Sequence, residues 1–302
     1  MRDRGIRPQL SLKEQNRTAR VSAERPVAIR CSSMLLAAFA LLASSYQVTT
    51  DIEFSAPGGE SLKLDAHIPA GKGPFPAIIL VHGGGWTAGH KTANFVQALF
   101  PVLDQTGMAW FTIDYRLAPK HPYPAARLDV EAAVAWVKKN ARQYRVNPRK
   151  IALMGESAGG HLVNLVGAKN AAGVAAVVCF YGPVDMEIFA RKFEGKPPDR
   201  NMQGFFLIDQ YDAAAKARLR EASPHTYLSK KTPPFLVIHG TQDAAVPYEQ
   251  ALLHVELFKQ KGIPVDLITV QDGIHGVMNW EKDPRFHTYK QPLIDWLRKT
   301  LK

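Results

Sequence analysis

The sequence lacks a long hydrophobic run. In a chain of 302 residues, the stretch M-L-L-A-A-F-A-L-L-A-S-S (Met34–Ser45) carries an apolar run of only about ten residues. A membrane-spanning helix needs roughly 20 such residues. The sequence therefore predicts no stable membrane span.

The same stretch has the order of a secretory signal. A basic segment precedes it, and the small residues Ala43 and Ser45 stand at positions −3 and −1 of a cleavage point before Tyr46. A basic region, a short apolar core and a cleavage site marked by small residues together indicate export. We expect residues 1–46 to be a leader and the protein to be secreted or periplasmic. The basic region is long, at about 33 residues, so a disordered cytoplasmic tail is the alternative.

Cysteine is scarce, with Cys31 and Cys179 alone in the sequence. Cys31 lies before the apolar core of the expected leader, so it is not the lipid-modified cysteine that would follow such a core. Cys179 then remains by itself in the mature chain, which excludes an intramolecular disulfide. Because it lies inside the apolar run V-A-A-V-V-C-F-Y-G, we expect a buried structural thiol.

The sequence also lacks the patterns of nucleic-acid and metal binding. The formal net charge is +11, but residues 1–46 hold eight Lys/Arg and three Asp/Glu and so supply +5. The remaining charge is spread without a basic run, so we expect no nucleic-acid partner. No H-E-x-x-H motif and no paired-cysteine spacing occurs, so the sequence implies no metal and no cofactor.

What the sequence does contain is an alternation of apolar runs and amphipathic stretches over residues 47–302. Runs typical of buried parallel strands lie at Pro76–Val81, Met108–Ile113, Lys150–Met154, Val174–Phe180, Pro234–Ile238 and Val265–Val270. Helical patterns lie at Ala125–Tyr144, Tyr248–Lys261 and Tyr289–Leu301. This alternation predicts one α/β domain, with a mostly parallel central sheet and helices on both faces.

One interval, Val184–Ser229, breaks the alternation. It is polar and contains several aromatic residues. We predict that it is a cap-like excursion over the carboxyl edge of the sheet, where open α/β folds bind ligands.

The stretch G-E-S-A-G (Gly155–Gly159) stands at the end of a predicted strand, and a helical stretch follows it at His161–Ala168. A tight strand-to-helix turn exposes the serine above the sheet, and crowding there requires small residues two positions to either side. Gly155 and Gly159 have that spacing. We therefore predict that Ser157 is a catalytic nucleophile.

A second glycine-rich stretch, V-H-G-G-G-W (Val81–Trp86), also follows a predicted strand. Three consecutive glycines let the backbone approach a ligand and can direct N–H groups at a developing oxyanion, with the N–H of Ala158 completing the hole. A phosphate-binding loop and a plain tight turn are the alternatives, although the G-x-x-x-x-G-K-[ST] pattern is absent. We expect His82 to pack within this loop and Trp86 to contact substrate.

Asp243 and His275 lie in loops just beyond the last two predicted strands. The order Ser157, Asp243, His275 is that of an α/β-hydrolase triad, in which the histidine is the base and the aspartate orients it. Asp266 lies within a strand and Asp272 lies very close to the histidine, so Asp243 is the favoured acid.

In combination, the motifs H-G-G-G-W, D-Y-R-L-A-P (Asp114–Pro119), G-E-S-A-G-G, H-G-x-x-D-x-x-V-P and I-H-G resemble those of α/β-hydrolase esterases related to hormone-sensitive lipase. They are especially similar to bacterial acetyl-esterase and feruloyl-esterase-like members, and the resemblance covers residues 48–302. It implies the α/β-hydrolase fold with a small cap insertion at about 184–229. It also implies oxyanion hydrogen bonds from Gly84, Gly85 and Ala158. Two departures, His161 after the elbow and the lack of a large N-terminal cap, leave the substrate open.

These observations predict a serine carboxylic ester hydrolase that acts on short acyl esters through an acyl-enzyme on Ser157. Acetyl or feruloyl groups on carbohydrate are the candidate substrates, so the expected partner is a small-molecule or carbohydrate ester. An arylformamidase or another amide-cleaving enzyme on the same fold is the alternative. A non-catalytic binding protein is disfavoured because His275 is present. The sequence leaves the oligomeric state open.

Overall fold

The computed structural model of the protein describes residues 46–302. The expected leader lies outside the described residues, apart from its last residue, Tyr46. Within the described part, one sheet contains eight strands: β1 (Tyr46–Ser55), β2 (Leu62–Pro69), β3 (Phe75–Val81), β4 (Ala109–Ile113), β5 (Val146–Glu156), β6 (Ala176–Phe180), β7 (Phe235–Gly240) and β8 (Val265–Val270). The strands lie side by side in the order β1-β2-β4-β3-β5-β6-β7-β8.

The sheet is mostly parallel, as predicted. Strands β3 to β8 pair in parallel, whereas β1 pairs antiparallel with β2, and β2 with β4. Each predicted strand overlaps one of β3 to β8, but the prediction missed β1 and β2. Continuous apolar runs mark strands buried on both faces, and β1 is exposed along most of its length. The apolar pattern of β2 is interrupted by Lys63, Asp65 and His67.

Helices cover both faces of the sheet. Those described are α1 (Asn94–Gln97), α2 (Phe100–Thr106), α3 (Ala125–Lys139), α4 (Ala158–Lys169), α5 (Met186–Ala190), α6 (Arg200–Phe206), α7 (Ala213–Glu221), α8 (Glu249–Gln260), α9 (Val277–Trp280) and α10 (Lys290–Thr300). Within residues 46–302, no helix is both long enough and apolar enough to cross a bilayer.

Strand β3 shows how the sheet separates two cores. Ala77, Ile79 and Val81 pack into the core that contains buried residues of α3, α4 and α8. Ile78 and Leu80 point to the opposite face and pack with α1, α2 and α10. This alternation follows from the two-residue period of a strand, and it explains why β3 is apolar at every position.

The predicted helices agree with α8 and α10 to one residue at each end. The prediction for α3 was too long, because the helix ends at Lys139 and not at Tyr144. The Asn140 side-chain amide donates to the carbonyl oxygen of Trp136 at 2.8 Å and satisfies an acceptor of the last turn.

The parallel strands end at one edge of the sheet, where the segments that carry the predicted site meet. The H-G-G-G loop follows β3, Ser157 follows β5, and the loops of Asp243 and His275 follow β7 and β8. Between β6 and β7, the interval Val184–Ser229 forms α5, α6, α7 and two 3₁₀ turns. It lies over this edge, since its residue Phe189 lines the same cavity as Ser157.

Cys179 on β6 is fully buried. Its Sγ accepts hydrogen bonds from the Asn164 amide at 3.1 Å and from the Gly182 N–H at 3.3 Å. Burial raises the pKa of this thiol to about 12. The group is therefore a protonated packing element of the sheet rather than a reactive thiolate.

His254 on α8 is a polar group in an apolar setting. It is fully buried, packs on Phe235 and Phe258, and neither ring nitrogen has a hydrogen-bond partner among the described residues. Burial lowers the pKa of His254 to about 3. An unfolded chain protonates a histidine below about pH 6.5. The folded state therefore loses stability as the pH falls from 6.5 toward 3.

We expect the stability of His254→Leu, relative to wild type, to increase by about 2 kcal/mol when the pH is lowered from 8 to 5, because leucine binds no proton. Urea unfolding followed by circular dichroism measures this difference. Phe258→Leu is the matched control, since it changes packing in the same cluster without changing a titratable group, and its effect should be equal at both pH values. A His254→Leu effect that is the same at pH 5 and pH 8 contradicts the prediction.

Candidate active site

The structure brings Ser157, Asp243 and His275 together. Ser157 Oγ lies 3.0 Å from His275 Nε2, and His275 Nδ1 lies 2.7 Å from Asp243 Oδ2. Because a carboxylate only accepts, Nδ1 donates to Asp243, and Nε2 is left to accept the serine proton. This is the hydrogen-bond order required of a nucleophile, its base and an orienting acid.

The turn at Ser157 is built by close backbone contacts. Ser157 has φ 54° and ψ −116°, and its N–H donates to the Phe180 carbonyl at 3.0 Å. A Cβ on Gly155 would overlap the Gly159 backbone, and a Cβ on Gly159 would overlap the carbonyl oxygen of Val81. Glycine is required at both positions, and the serine adopts a backbone conformation that side chains rarely take.

Asp243 is 6% exposed and accepts several hydrogen bonds. Its Oδ1 accepts from the N–H groups of Ala245 at 2.9 Å and Val246 at 2.8 Å, while His239 Nε2 lies 3.4 Å from Oδ2. Burial alone would raise the pKa of Asp243, but the hydrogen bonds from His239 and His275 and the charge of His275 hold it well below its ordinary value. The group is therefore a carboxylate at neutral pH.

The competing acids bond elsewhere. Asp266 accepts from the Trp296 indole at 2.8 Å, and Asp272 accepts from the Gln271 amide at 3.0 Å. Among the described residues, Asp243 is the acid hydrogen-bonded to His275.

The H-G-G-G loop presents free N–H groups beside Ser157. Gly84 and Gly85 have positive φ angles of 94° and 60°, which glycine adopts without steric cost. Among residues 46–302, the N–H groups of Gly84, Gly85 and Ala158 have no protein acceptor. The predicted oxyanion donors are therefore available to a ligand. Gly83 differs, because its N–H donates to Glu156 Oε1.

His82 packs within this loop, as the sequence predicts. Its ring stacks on Tyr115 with centroids 4.2 Å apart, and its Nδ1 donates to the Gly83 carbonyl at 2.8 Å. Burial lowers the pKa of His82 to about 4. It is neutral at pH 7, and the hydrogen bond of its ring is made within its own loop rather than to Ser157.

A cavity of about 270 Å³ lies above Ser157. Ser157, Ala158, His275 and Gly85 form its floor. The interval Val184–Ser229 contributes Phe189, Lys192, Asp199, Asn201 and Met202. The resulting wall combines apolar and charged side chains. Apart from the aromatic content of the interval, the sequence offered no motif that marks these residues.

Trp86 also lines the cavity but is only 5% exposed. Its ring stacks on Phe205 with centroids 5.0 Å apart, and its Nε1–H donates to His161 Nδ1 at 3.2 Å. The other nitrogen, His161 Nε2, donates to the Ala222 carbonyl at 2.8 Å. Burial lowers the pKa of His161 to about 4, so the ring is neutral. His161 thus ties the H-G-G-G-W loop to the interval Val184–Ser229.

Asn201 adds a second tie between the same segments. Thr87 Oγ1 donates to Asn201 Oδ1 at 2.7 Å, and the Asn201 amide nitrogen lies against Gly85. Lys192 stands nearby, with its ammonium 4.0 Å from the Phe189 ring centroid. Within the described residues, no cluster of three or more metal-binding side chains occurs.

The sequence resembles known esterases over much of its length. Residues 64–257 match the model of the BD-FAE family. Esterase LipC of Mycobacterium tuberculosis is 34% identical over 204 residues, which cover 61% of this chain and 48% of LipC. The chain spans about half the length of the curated relatives it matches.

Solved structures share the fold. A truncated carbohydrate esterase from gut microbiota has a TM-score of 0.73 and 23% identity, covering 86% of this chain and 97% of that one. An acetyl ester-xyloside bifunctional hydrolase from Caldicellulosiruptor lactoaceticus has a TM-score of 0.71 and 24% identity, covering 83% and 96%. This likeness confirms the predicted α/β-hydrolase fold.

The strained backbone at Ser157 gives a prediction that is independent of activity. We expect Ser157→Gly to be more stable than Ser157→Ala by about 1 kcal/mol. Glycine relieves strain of about 1–3 kcal/mol and adds about 0.5–1 kcal/mol of unfolded-state entropy. Thermal unfolding of the two variants, compared with wild type, measures the difference. Equal stability of the glycine and alanine variants contradicts it.

Proposed function

Since the chain belongs to the BD-FAE family of α/β-hydrolases, we propose that it is a serine carboxylic ester hydrolase acting on short acyl esters. The observation that carries the proposal is the hydrogen-bonded series from Ser157 through His275 to Asp243, placed beside unpaired backbone N–H groups. The curated relatives include proteins named as esterases and carboxylic ester hydrolases, which supports the same class of reaction.

In the proposed reaction, Ser157 Oγ attacks the ester carbonyl while His275 Nε2 takes its proton. The N–H groups of Gly84, Gly85 and Ala158 stabilise the oxyanion of the tetrahedral intermediate. His275 then donates the proton to the leaving alcohol, and the acyl group stays on Ser157. Water attacks this acyl-enzyme with His275 as base, and the carboxylic acid is released. The Asp243 carboxylate stabilises the imidazolium in both halves of the reaction.

The cavity supports a short acyl group and a carbohydrate alcohol. The cavity has a volume of about 270 Å³, so the far end of a long acyl chain would remain in water. Each methylene left in water forgoes the roughly 0.8 kcal/mol that its burial would contribute. The side chains of Trp86 and Phe189 give the cavity apolar aromatic surface, while Asn201 and Lys192 offer donors to hydroxyl groups. We therefore propose acetyl or feruloyl groups on carbohydrate as substrates. Of the two structural neighbours described above, one is named a carbohydrate esterase and the other an acetyl ester-xyloside bifunctional hydrolase, which supports this choice.

We expect Ser157→Ala and His275→Ala to lower kcat on p-nitrophenyl acetate by about 10⁴–10⁶-fold, because each removes a member of the triad. Asp243→Asn should lose less, because Ser157 and His275 remain adjacent. Asp272→Asn is the matched control and should stay near wild type, since its carboxylate does not reach His275. Circular dichroism checks that each variant is folded. Greater damage from Asp272→Asn than from Asp243→Asn would show that the acid assignment is wrong.

We expect kcat/KM to be highest for acetyl to butyryl esters and to fall steeply beyond about eight carbons, because the cavity does not enclose a longer chain. A p-nitrophenyl ester series from acetate to laurate measures this. A rise from butyrate to laurate contradicts the short-chain proposal. Acetylated xylan oligosaccharides and feruloyl esters test the carbohydrate half, which fails if none releases acetate or ferulate. Turnover of N-formylkynurenine in preference to esters would favour the amide-cleaving alternative.

A further inference from the structure

Glu156 is a buried carboxyl group that the proposed reaction does not use. It directly precedes Ser157 and is 3% exposed. Its Oε1 accepts a hydrogen bond from the Gly83 N–H, and a Cβ on Gly83 would overlap the carboxyl group. We infer that Glu156 is a positioning residue, and this inference rests on the proposed function. Its ionised carboxylate holds the oxyanion loop in place and stabilises the positive charge that His275 takes up during the reaction. Activity therefore requires that Glu156 be deprotonated.

The contacts of Gly83 explain how Glu156 reaches the oxyanion site. The Gly83 N–H is held by Glu156, and the Gly83 carbonyl accepts from the Tyr115 hydroxyl at 2.9 Å and from His82 Nδ1 at 2.8 Å. A peptide unit is planar and trans, so its N–H points opposite to its C=O. Fixing the Gly83 carbonyl therefore fixes the direction of the Gly84 N–H, one of the proposed oxyanion donors. Glu156 holds the N–H group of Gly83, while Tyr115 and His82 hold its carbonyl group.

The groups around Glu156 connect it to the base. Tyr115 faces it from the segment after β4, Tyr181 from the segment after β6, and His275 from the loop after β8. The Tyr181 ring meets the His275 ring edge-on with centroids 4.7 Å apart, and its hydroxyl accepts from the Val277 N–H at 2.7 Å. Within residues 46–302, no lysine or arginine forms an ion pair with Glu156. Of the side chains that face Glu156, His275 is the one that becomes cationic in the proposed reaction.

The carboxyl group of Glu156 ionises near neutral pH. Burial raises the pKa of Glu156 to about 7, against the opposing effects of the Gly83 N–H, the His275 charge and the Tyr181 hydroxyl. Below that pH, the carboxyl group is neutral. It then accepts more weakly from Gly83, since hydrogen bonds to charged groups are roughly twice as strong as neutral ones, and it no longer stabilises a positive His275. Protonation of Glu156 then suppresses activity on the acid side, in addition to the loss that follows when any general base is protonated.

The pH profile of kcat/KM on p-nitrophenyl acetate tests this directly. In wild type we expect log kcat/KM to fall on the acid side with a slope of about two, one for each proton. Glu156→Gln keeps an oxygen for the Gly83 N–H but carries no charge. We expect a slope of about one, an acid limb displaced to lower pH, and about a tenfold loss in kcat with little change in KM at pH 8.5. Asp272→Asn, which removes an exposed carboxylate near the site, should leave the slope unchanged.

A second measurement does not depend on catalysis. The folded-state pKa of Glu156 lies above its ordinary value, so wild type loses stability relative to Glu156→Gln as the pH rises through 7. Between pH 5 and pH 8, we expect the unfolding equilibrium constant of wild type, relative to the variant, to increase about 70-fold in urea titrations. A purely structural role for the side chain would give a ratio independent of pH.

The outcomes separate the two proposals. If wild type cleaves the ester with an acid-side slope of one, or if the two proteins have the same slope and the ratio of their unfolding constants does not change with pH, the inference about Glu156 is overturned and the proposed function stands. If wild type cleaves no ester while the stability ratio still changes with pH, the proposed function fails and the ionisation of Glu156 is retained. A change in both slope and ratio supports the inference.

Discussion

The close backbone contact around Ser157 is the constraint on which the rest of the site depends. Gly159 lies against the carbonyl groups of Val81 and His82, so the first turn of α4 touches the end of β3. Gly160 packs against Gly182 in the segment after β6, where a Cβ on either glycine would be too close to the backbone of the other. Any Cβ at these glycines would separate the three strand ends. Their contact brings the glycine loop, the serine and the segment after β6 to one point and crowds the serine into its strained conformation.

The loops of the site are tied together by neutral groups whose hydrogen bonds are all made. The His161 ring accepts from Trp86 on one side and donates to Ala222 on the other. Its lowered pKa keeps it neutral, so this bridge places no extra charge near His275. On the opposite side, the Trp280 indole donates to the Ile274 carbonyl at 2.7 Å and fixes the loop of the base. Donors held in this way need little reorganisation when charge develops on a bound carbonyl.

The elements that the sequence predicts are those whose pattern depends on one local rule. Continuous apolar runs marked β3 to β7 because the apolar part of each is buried on both faces. The run Val265–Val270 correctly marked β8, but the prediction that it is buried was wrong, because β8 lies at an edge of the sheet and only Val270 is buried. The G-x-S-x-G spacing marked Ser157 because the turn admits only glycine two positions to either side. Strands β1 and β2 escaped prediction because they lie toward one edge of the sheet, where polar residues interrupt the pattern. The contacts of Asn201 and Lys192 with the cavity escaped it as well. These contacts depend on how the interval Val184–Ser229 folds over the sheet edge, which no periodicity in that interval specifies.

Two carboxyl groups of the site have pKa values that local contacts shift in opposite directions. Both Asp243 and Glu156 are buried, and burial alone would raise the pKa of either one. Asp243 accepts from two backbone N–H groups and from His275, so its pKa falls. Glu156 accepts one backbone N–H, and its pKa rises to about 7. Burial is outweighed at Asp243 by its hydrogen bonds and the His275 charge, whereas at Glu156 burial outweighs the Gly83 N–H, the His275 charge and the Tyr181 hydroxyl. Asp243, which is a carboxylate at neutral pH, is hydrogen-bonded to the base. Glu156, which titrates near neutral pH, is hydrogen-bonded to the oxyanion loop. Opposed environments of this kind are how one fold assigns different roles to chemically similar side chains.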